Sequence, residues 1–194
     1  MIEVEKNYDI SPEGKKRMIE GATLLYKKVL TDTYYDSNDY SLTGRDFWLR
    51  KRNGKFELKV PLNSGKILDR VTDQYKELEA DAEIARELGL PSSHDLSETI
   101  EKAGFAPFGT IITTRESYQK NDFHLDFDEI DFGFTAFEIE LMVEKIEDIP
   151  NAEKKILDFA TKYNVSATGK GKVIEFLRRY RPKHFAFLES KRVA

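Results

Sequence analysis

The chain has 194 residues, 40% of them hydrophobic and 12% aromatic, with 31 basic against 35 acidic side chains and a net charge of −4. That balance predicts one packed domain over residues 1–194 and argues against a disordered chain or a basic nucleic-acid surface. The absence of cysteine excludes disulfides and thiolate metal sites, while the charged opening MIEVEKNYDI and the lack of a long apolar run predict a cytoplasmic protein without a membrane partner.

Ile2-Glu3-Val4-Glu5 reads as a strand that alternates faces, so Glu3 and Glu5 stand together opposite Ile2 and Val4. Ser11-Pro12 then starts a helix to about Gly21, a capping side chain followed by proline at the first helical position. A strand follows from Ala22 to Val29, and Asp32-Thr33-Tyr34-Tyr35-Asp36 leads into a polar turn at Ser37-Asn38-Asp39. Asp46 to Arg52 and Lys55 to Val60 are two β-like runs joined by Asn53-Gly54, which suits a tight hairpin. On the first run Trp48, Arg50 and Arg52 share a face; on the second, Glu57 and Lys59 oppose Phe56, Leu58 and Val60.

A loop from Pro61 to about Asp69 precedes a strand from Asp73 to Glu79. Two short helices are expected next, from near Asp81 to Gly89 and from about Asp95 to Ala103 with a stop at Gly104, each glycine suited to a left-handed cap. Phe108 to Tyr118, Asp122 to Asp128 and Phe134 to Glu144 read as three successive antiparallel strands. Pro150 opens an amphipathic helix through Tyr163, Val173 to Tyr180 is helical, and Pro182 starts a last helix through about Ser190. The pattern predicts an α+β fold built on an antiparallel barrel or deeply curved sheet.

The polar face carries the pattern. Glu3 with Glu5, Asp126 with Asp128, and Glu138 with Glu140 are same-face acidic pairs, joined by Glu77 and Glu79. Crowded carboxylates repel unless neutralised, and a hard divalent cation such as Mg²⁺ or Mn²⁺ prefers oxygen ligands. Arg50, Arg52, Lys59 and Arg115 alternate along other strands, and a guanidinium fork matches phosphate oxygens. Metal and cations around a closed space suit a chain of phosphates; simple pairing of acids with bases across strands is the alternative. Gly169-Lys170-Gly171-Lys172 lacks the phosphate-loop spacing, although Lys172 could still reach a phosphate at the barrel mouth. His94, His124 and His184 show no ligand or triad spacing; among them, only His124 shares a face with candidate ligands.

Read together, Ile2 to Glu5, Asp32 to Asp36, Trp48-Leu49-Arg50-Lys51-Arg52, Glu57-Leu58-Lys59, Tyr75-Lys76-Glu77-Leu78, Asp126 to Gly133, Glu138-Ile139-Glu140 and Tyr180-Arg181-Pro182 resemble the CYTH, or triphosphate tunnel metalloenzyme, superfamily, over nearly the whole chain. The resemblance is strongest to its branch that hydrolyses thiamine triphosphate. It implies an eight-stranded antiparallel closed β-barrel, a tunnel with flanking helices, that binds a triphosphate tail with a divalent metal and cleaves the terminal phosphoanhydride; a monomer is expected. By the same resemblance Glu3, Glu5, Asp126, Glu138 and Glu140 hold the metal or its water, with Asp128 secondary to them. Arg50, Arg52, Lys59, Arg115 and Lys172 would hold phosphates, Tyr34 and Lys59 would activate water or stabilise the transition state, and Trp48 would contact the thiazolium. The family signature Glu-x-Glu-x-Lys is broken: its lysine position holds Asn7, and Lys6 faces the other way. Hydrolysis of inorganic tripolyphosphate or nucleoside triphosphates, cyclase-type lyase chemistry, and polyphosphate binding without catalysis are the alternatives.

Overall fold

The structure, a computed structural model, describes residues 1–62, 70–92, 94–165, 170–191 and 193. Beyond Leu62, the expected loop to Asp69 lies outside the described residues, as does Gly169 of the glycine-lysine run.

Eight strands run antiparallel to their neighbours: β1 (Ile2–Tyr8), β2 (Thr23–Asp36), β3 (Trp48–Arg52), β4 (Lys55–Pro61), β5 (Asp73–Leu78), β6 (Ala106–Lys120), β7 (Phe123–Ile130) and β8 (Phe134–Val143). They close in the order β1-β5-β4-β3-β2-β6-β7-β8, with β8 returning to β1. Closure removes the sheet edges that would otherwise offer unpaired backbone groups. The segments read separately as 22–29 and 32–36 are one 14-residue strand, β2, facing the 15-residue β6. Polar residues interrupt the apolar alternation there, but the pairing with β6 runs straight through Thr31 and Asp32, opposite Ile112 and Ile111; on the other side, past the end of the β3 ladder, Thr31 exchanges hydrogen bonds with Asn53, whose side-chain oxygen accepts from the Thr31 N–H at 2.9 Å. Asn53 (φ 47°) and Gly54 (φ 91°) make the β3–β4 turn left-handed, as a two-residue hairpin requires.

On most strands alternation puts the charged face inside and the apolar face outside, where helices bury much of it, while Ile111, Ile130 and Ala136 form a separate buried cluster with Tyr34. Val4, Leu125, Phe137 and Ile139 pack beneath α1 (Pro12–Ile19) and α4 (Ile149–Lys162), through Met18, Ile156 and Phe159. Leu49, Phe56 and Leu58 are covered by α2 (Asp81–Glu87) and α3 (Leu96–Lys102), through Ile84 and Ile100. Both of those helices end as expected, with Gly89 (φ 68°) and Gly104 (φ 85°) as left-handed caps. Hydrophobic burial therefore supports the barrel from outside, at about 25 cal/mol for each Å² removed from water. This arrangement frees the interior for polar groups.

The last two helices, α5 (Lys172–Tyr180) and α6 (Pro182–Lys191), pack Leu177 and Leu188 with Trp48, Tyr75 and Val193. Phe176 of α5 lies against β6 at Gly109, where an added Cβ would come within 2.3 Å of the ring. Gly109→Ala is accordingly expected to cost about 1–3 kcal/mol by overpacking, read as a lower urea midpoint at unchanged slope; an unchanged midpoint would show that Phe176 yields freely.

Candidate active site

The barrel encloses a cavity of about 300 Å³ whose walls include all the expected metal-ligating, phosphate-binding and catalytic residues except Asp128. Glu3, Glu5 and Asn7 reach it from β1, Tyr34 from β2, and Trp48, Arg50 and Arg52 from β3. Lys59 arrives from β4, Glu77 from β5, Arg115 from β6, Asp126 from β7, Glu138 and Glu140 from β8, and Lys172 from the first turn of α5. Strands distant in sequence meet because register fixes the pairs: Glu5 opposes Glu140, Asn7 opposes Glu138, and Asp126 opposes Glu138. Glu79 is a correction to the inward acidic set, since β5 ends at Leu78 and Glu79 is exposed beyond it.

Acids and bases alternate around the wall and pair with one another. Arg50 Nε and Nη2 donate to Glu57 and Glu77, each at 2.7 Å. Arg52 grips Asp32 through both ends of its fork, at 2.6 and 2.8 Å. Lys59 Nζ lies 2.5 Å from Glu3 and 2.9 Å from Glu5. Arg115 takes both oxygens of Asp128, at 2.6 and 2.8 Å, and also bonds Asp126 and, at 3.1 Å, Glu138. Lys172 sits 3.1 Å from Asp128 and 3.6 Å from Asp32. Cross-strand pairing is thus present, and it leaves the cations pre-placed on the cavity wall.

The acids divide by environment. Glu3, Glu5 and Glu140 bring carboxylate oxygens within 4.8 Å of one another, as do Asp126, Glu138 and Glu140, so Glu140 belongs to both groups. Burial, followed by the charge of neighbouring Glu3, pushes the Glu5 and Glu140 carboxyls well above their ordinary range. Burial likewise raises Asp126, whose Oδ1 is buried without a hydrogen-bond partner among the described residues. A bare oxygen inside crowded, all-oxygen carboxylates fits a hard divalent cation. Asp128 differs: burial raises its pKa, but the bonds and charge of Arg115 and Lys172 outweigh burial and lower it, and it joins neither group.

Lys59 and Tyr34 are both held protonated. Burial disfavours the Lys59 charge, yet Glu3, Glu5 and Glu77 raise its pKa well above the usual lysine value. Burial, reinforced by Asp32, raises the Tyr34 phenol. Neither is therefore poised to accept a proton; each is placed to donate a hydrogen bond. Asn7 is half-buried on the wall, and Lys6, on the opposite face, donates to the Val71 carbonyl.

Sequence reasoning missed Asp32, Asp46 and Tyr75. All three share parity with recognised site residues on or beside their strands, which was the available signal. It also took His184 as incidental. The ring is buried, meets the Thr43 hydroxyl at 2.7 Å and stacks on Tyr40 at 4.0 Å, tying α6 to the chain before β3.

Burial raises the Asp32 pKa, but the Arg52 fork, Arg50 and Lys172 outweigh it and hold the group well below the ordinary carboxylate value. A depressed folded-state pKa stabilises the fold above the unfolded value, about pH 4, and that contribution disappears as pH falls through the folded value. Urea unfolding should therefore show wild type more stable than Asp32→Asn near neutrality, with the gap closing below about pH 4; a gap independent of pH would contradict the pairing.

The CYTH domain family matches residues 1–172. The chain is 31% identical over 205 residues to the thiamine-triphosphatase of Homo sapiens, covering 95% of this chain and 88% of that protein. It is 30% identical over 204 residues to the thiamine-triphosphatase of Macaca fascicularis, at the same coverage. The PH1819 protein of Pyrococcus horikoshii OT3 has the same fold, with a TM-score of 0.64, 22% identity, and coverage of 91% of this chain and 98% of that one. A barrel lined with paired acids and bases, matched by that family along most of its length, places this chain in the CYTH family.

Proposed function

We propose that the chain is a metal-dependent phosphoanhydride hydrolase that releases the terminal phosphate of thiamine triphosphate to give thiamine diphosphate. The observation that carries this reading is one cavity joining two carboxylate groups to Arg50, Arg52, Arg115, Lys59 and Lys172, with the Trp48 ring in the same wall. Identity of 31% to a thiamine-triphosphatase supports the substrate.

Glu3, Glu5, Asp126, Glu138 and Glu140 would hold Mg²⁺, or Mn²⁺ in its place. The ion, when bound, supplies Lewis-acid polarisation and neutralises phosphate charge. The arginines hold the phosphate oxygens by their forks, and Lys59 and Lys172 add point charges. Asn7, where the family signature has lysine, offers a neutral hydrogen bond of about half the strength of a charge-assisted one. Tyr34 and Lys59, as donors, hold the reacting phosphate and its attacking water in line, so that positioning and electrostatics carry the rate. Asp128 anchors Arg115 and Lys172. A single-domain protein over residues 1–194 that acts as a monomer completes this reading. No helix among the described residues is long and apolar enough to cross a membrane.

Trp48 discriminates this reading from hydrolysis of inorganic tripolyphosphate or nucleoside triphosphates, because an indole face attracts a permanent cation. Specificity constants for the three substrates should favour thiamine triphosphate in wild type. Trp48→Ala should lower that constant about tenfold more than the tripolyphosphate constant. Equal losses would remove Trp48 from substrate choice, and tight binding without phosphate release would make the chain a binding module.

A further inference from the structure

Asp46 lies two residues before Trp48, outside any strand, and has the backbone of a residue under constraint: φ is +65°, an uncommon left-handed conformation for a non-glycine residue, at 3% exposure. Its carboxylate is the meeting point of three side chains. Oδ1 accepts the Trp48 indole N–H at 2.7 Å and the Tyr75 hydroxyl at 2.9 Å, and Oδ2 accepts from Arg70 Nη1 at 2.6 Å. Asp46, Trp48 and Tyr75 all line the cavity. Trp48 comes from β3 and Tyr75 from β5, which do not pair with each other; β4 lies between them. A single acceptor oxygen thus joins two rings across an intervening strand.

An indole has one donor and a phenol one hydroxyl, so a shared acceptor fixes both rings with no polar atom left over. Rings held in this way contact a ligand without paying for ordering on binding.

We infer that Asp46 is a positioning residue for substrate choice: by clamping Trp48 and Tyr75 it builds a preformed aromatic wall for a cationic heteroaromatic head group. The inference rests on the proposed hydrolysis of thiamine triphosphate, whose head is such a cation. The clamp acts on the head of the substrate and leaves the phosphate end to the arginines. Removing it therefore raises KM for a substrate with a cationic ring and spares one that is phosphate alone.

Trp48 is the only tryptophan, so intrinsic fluorescence reports on the clamp with no substrate present. Asp46→Ala is expected to shift the emission maximum, to increase acrylamide quenching, and to raise KM for thiamine triphosphate about tenfold, with KM for inorganic tripolyphosphate and both kcat values within about twofold. Asp46→Asn keeps an acceptor oxygen and should restore the wild-type emission and most of the KM ratio. Tyr75→Phe keeps the ring and the carboxylate but deletes one bond, and should raise the same KM about threefold; it carries the test should Asp46→Ala not fold. Wild-type emission and quenching in Asp46→Ala, or equal KM changes for both substrates, would overturn the inference. In Tyr75→Phe, unchanged selectivity would do the same. Wild-type indifference between the two substrates would instead sink the proposed substrate, while the fluorescence comparison would still decide whether the clamp exists.

Discussion

Replacing Arg50 with alanine is expected to lower kcat by about 10² to 10³. Arg50 is 8% exposed, and its fork is held in place by Glu57 and Glu77. A pre-placed guanidinium at the cavity wall needs no reorganisation as charge builds on the transferring oxygens, and for that reason its removal acts on turnover. The fold should survive. Glu57 and Glu77 keep 16% and 25% side-chain exposure, so cavity water can solvate them when their partner is gone, and the stability cost is small beside that of a dry site. Arg50→Lys should recover little, because a point charge cannot reproduce two divergent donors. Near-normal phosphate release by a folded Arg50→Ala protein would remove Arg50 from the chemistry.

Loss of Arg115, whose fork is held by Asp128, should cost stability as well as turnover. Its side chain is 9% exposed and faces Asp126 at 4%, Asp128 at 1% and Glu138 at 13%. Arg115→Leu strands three carboxylates, with Lys172 the remaining cation beside Asp128. Breaking a buried ionic group by removing one partner typically costs about 3–5 kcal/mol. Urea titration at neutral pH should show a loss of that size. The deficit should shrink on acidification, since stranded carboxylates take up protons at a higher pH than paired ones. A loss below about 1 kcal/mol would mean that solvent already reaches the cluster.

These two arginines look alike in the sequence, each an alternating cation on a strand, and the contrast shows where sequence reading stops. Alternation alone identified the inward face of β1, β3, β4, β7 and β8, because a period of two permits no other placement once the apolar face is buried. The hairpin at Asn53-Gly54 and the helix stops at Gly89 and Gly104 were legible for a similar reason: few residues suit a positive φ. Pair identity was not legible. Which acid Arg115 meets depends on the register of β6 against β7 and of β7 against β8, and sequence patterns do not fix register across strands. Asp46 was hidden because its role depends on a left-handed turn and on Tyr75, nearly thirty residues away. Glu79 failed by one residue of strand length, where the chain leaves the barrel for α2. The continuity of β2 was missed because its pairing with β6 runs through polar residues that break the apolar alternation.

The central claim is that oppositely charged walls of one tunnel act together through a divalent cation on a triphosphate tail. Orthophosphate release from thiamine triphosphate, measured on the purified chain with Mg²⁺, with Mn²⁺ and with excess chelator, tests it directly when Glu138→Gln is run alongside. Steady release is expected with either ion, none above background with chelator, and a loss of about 10² or more in Glu138→Gln at fixed metal. Release that continues undiminished in chelator, or in Glu138→Gln, would contradict it.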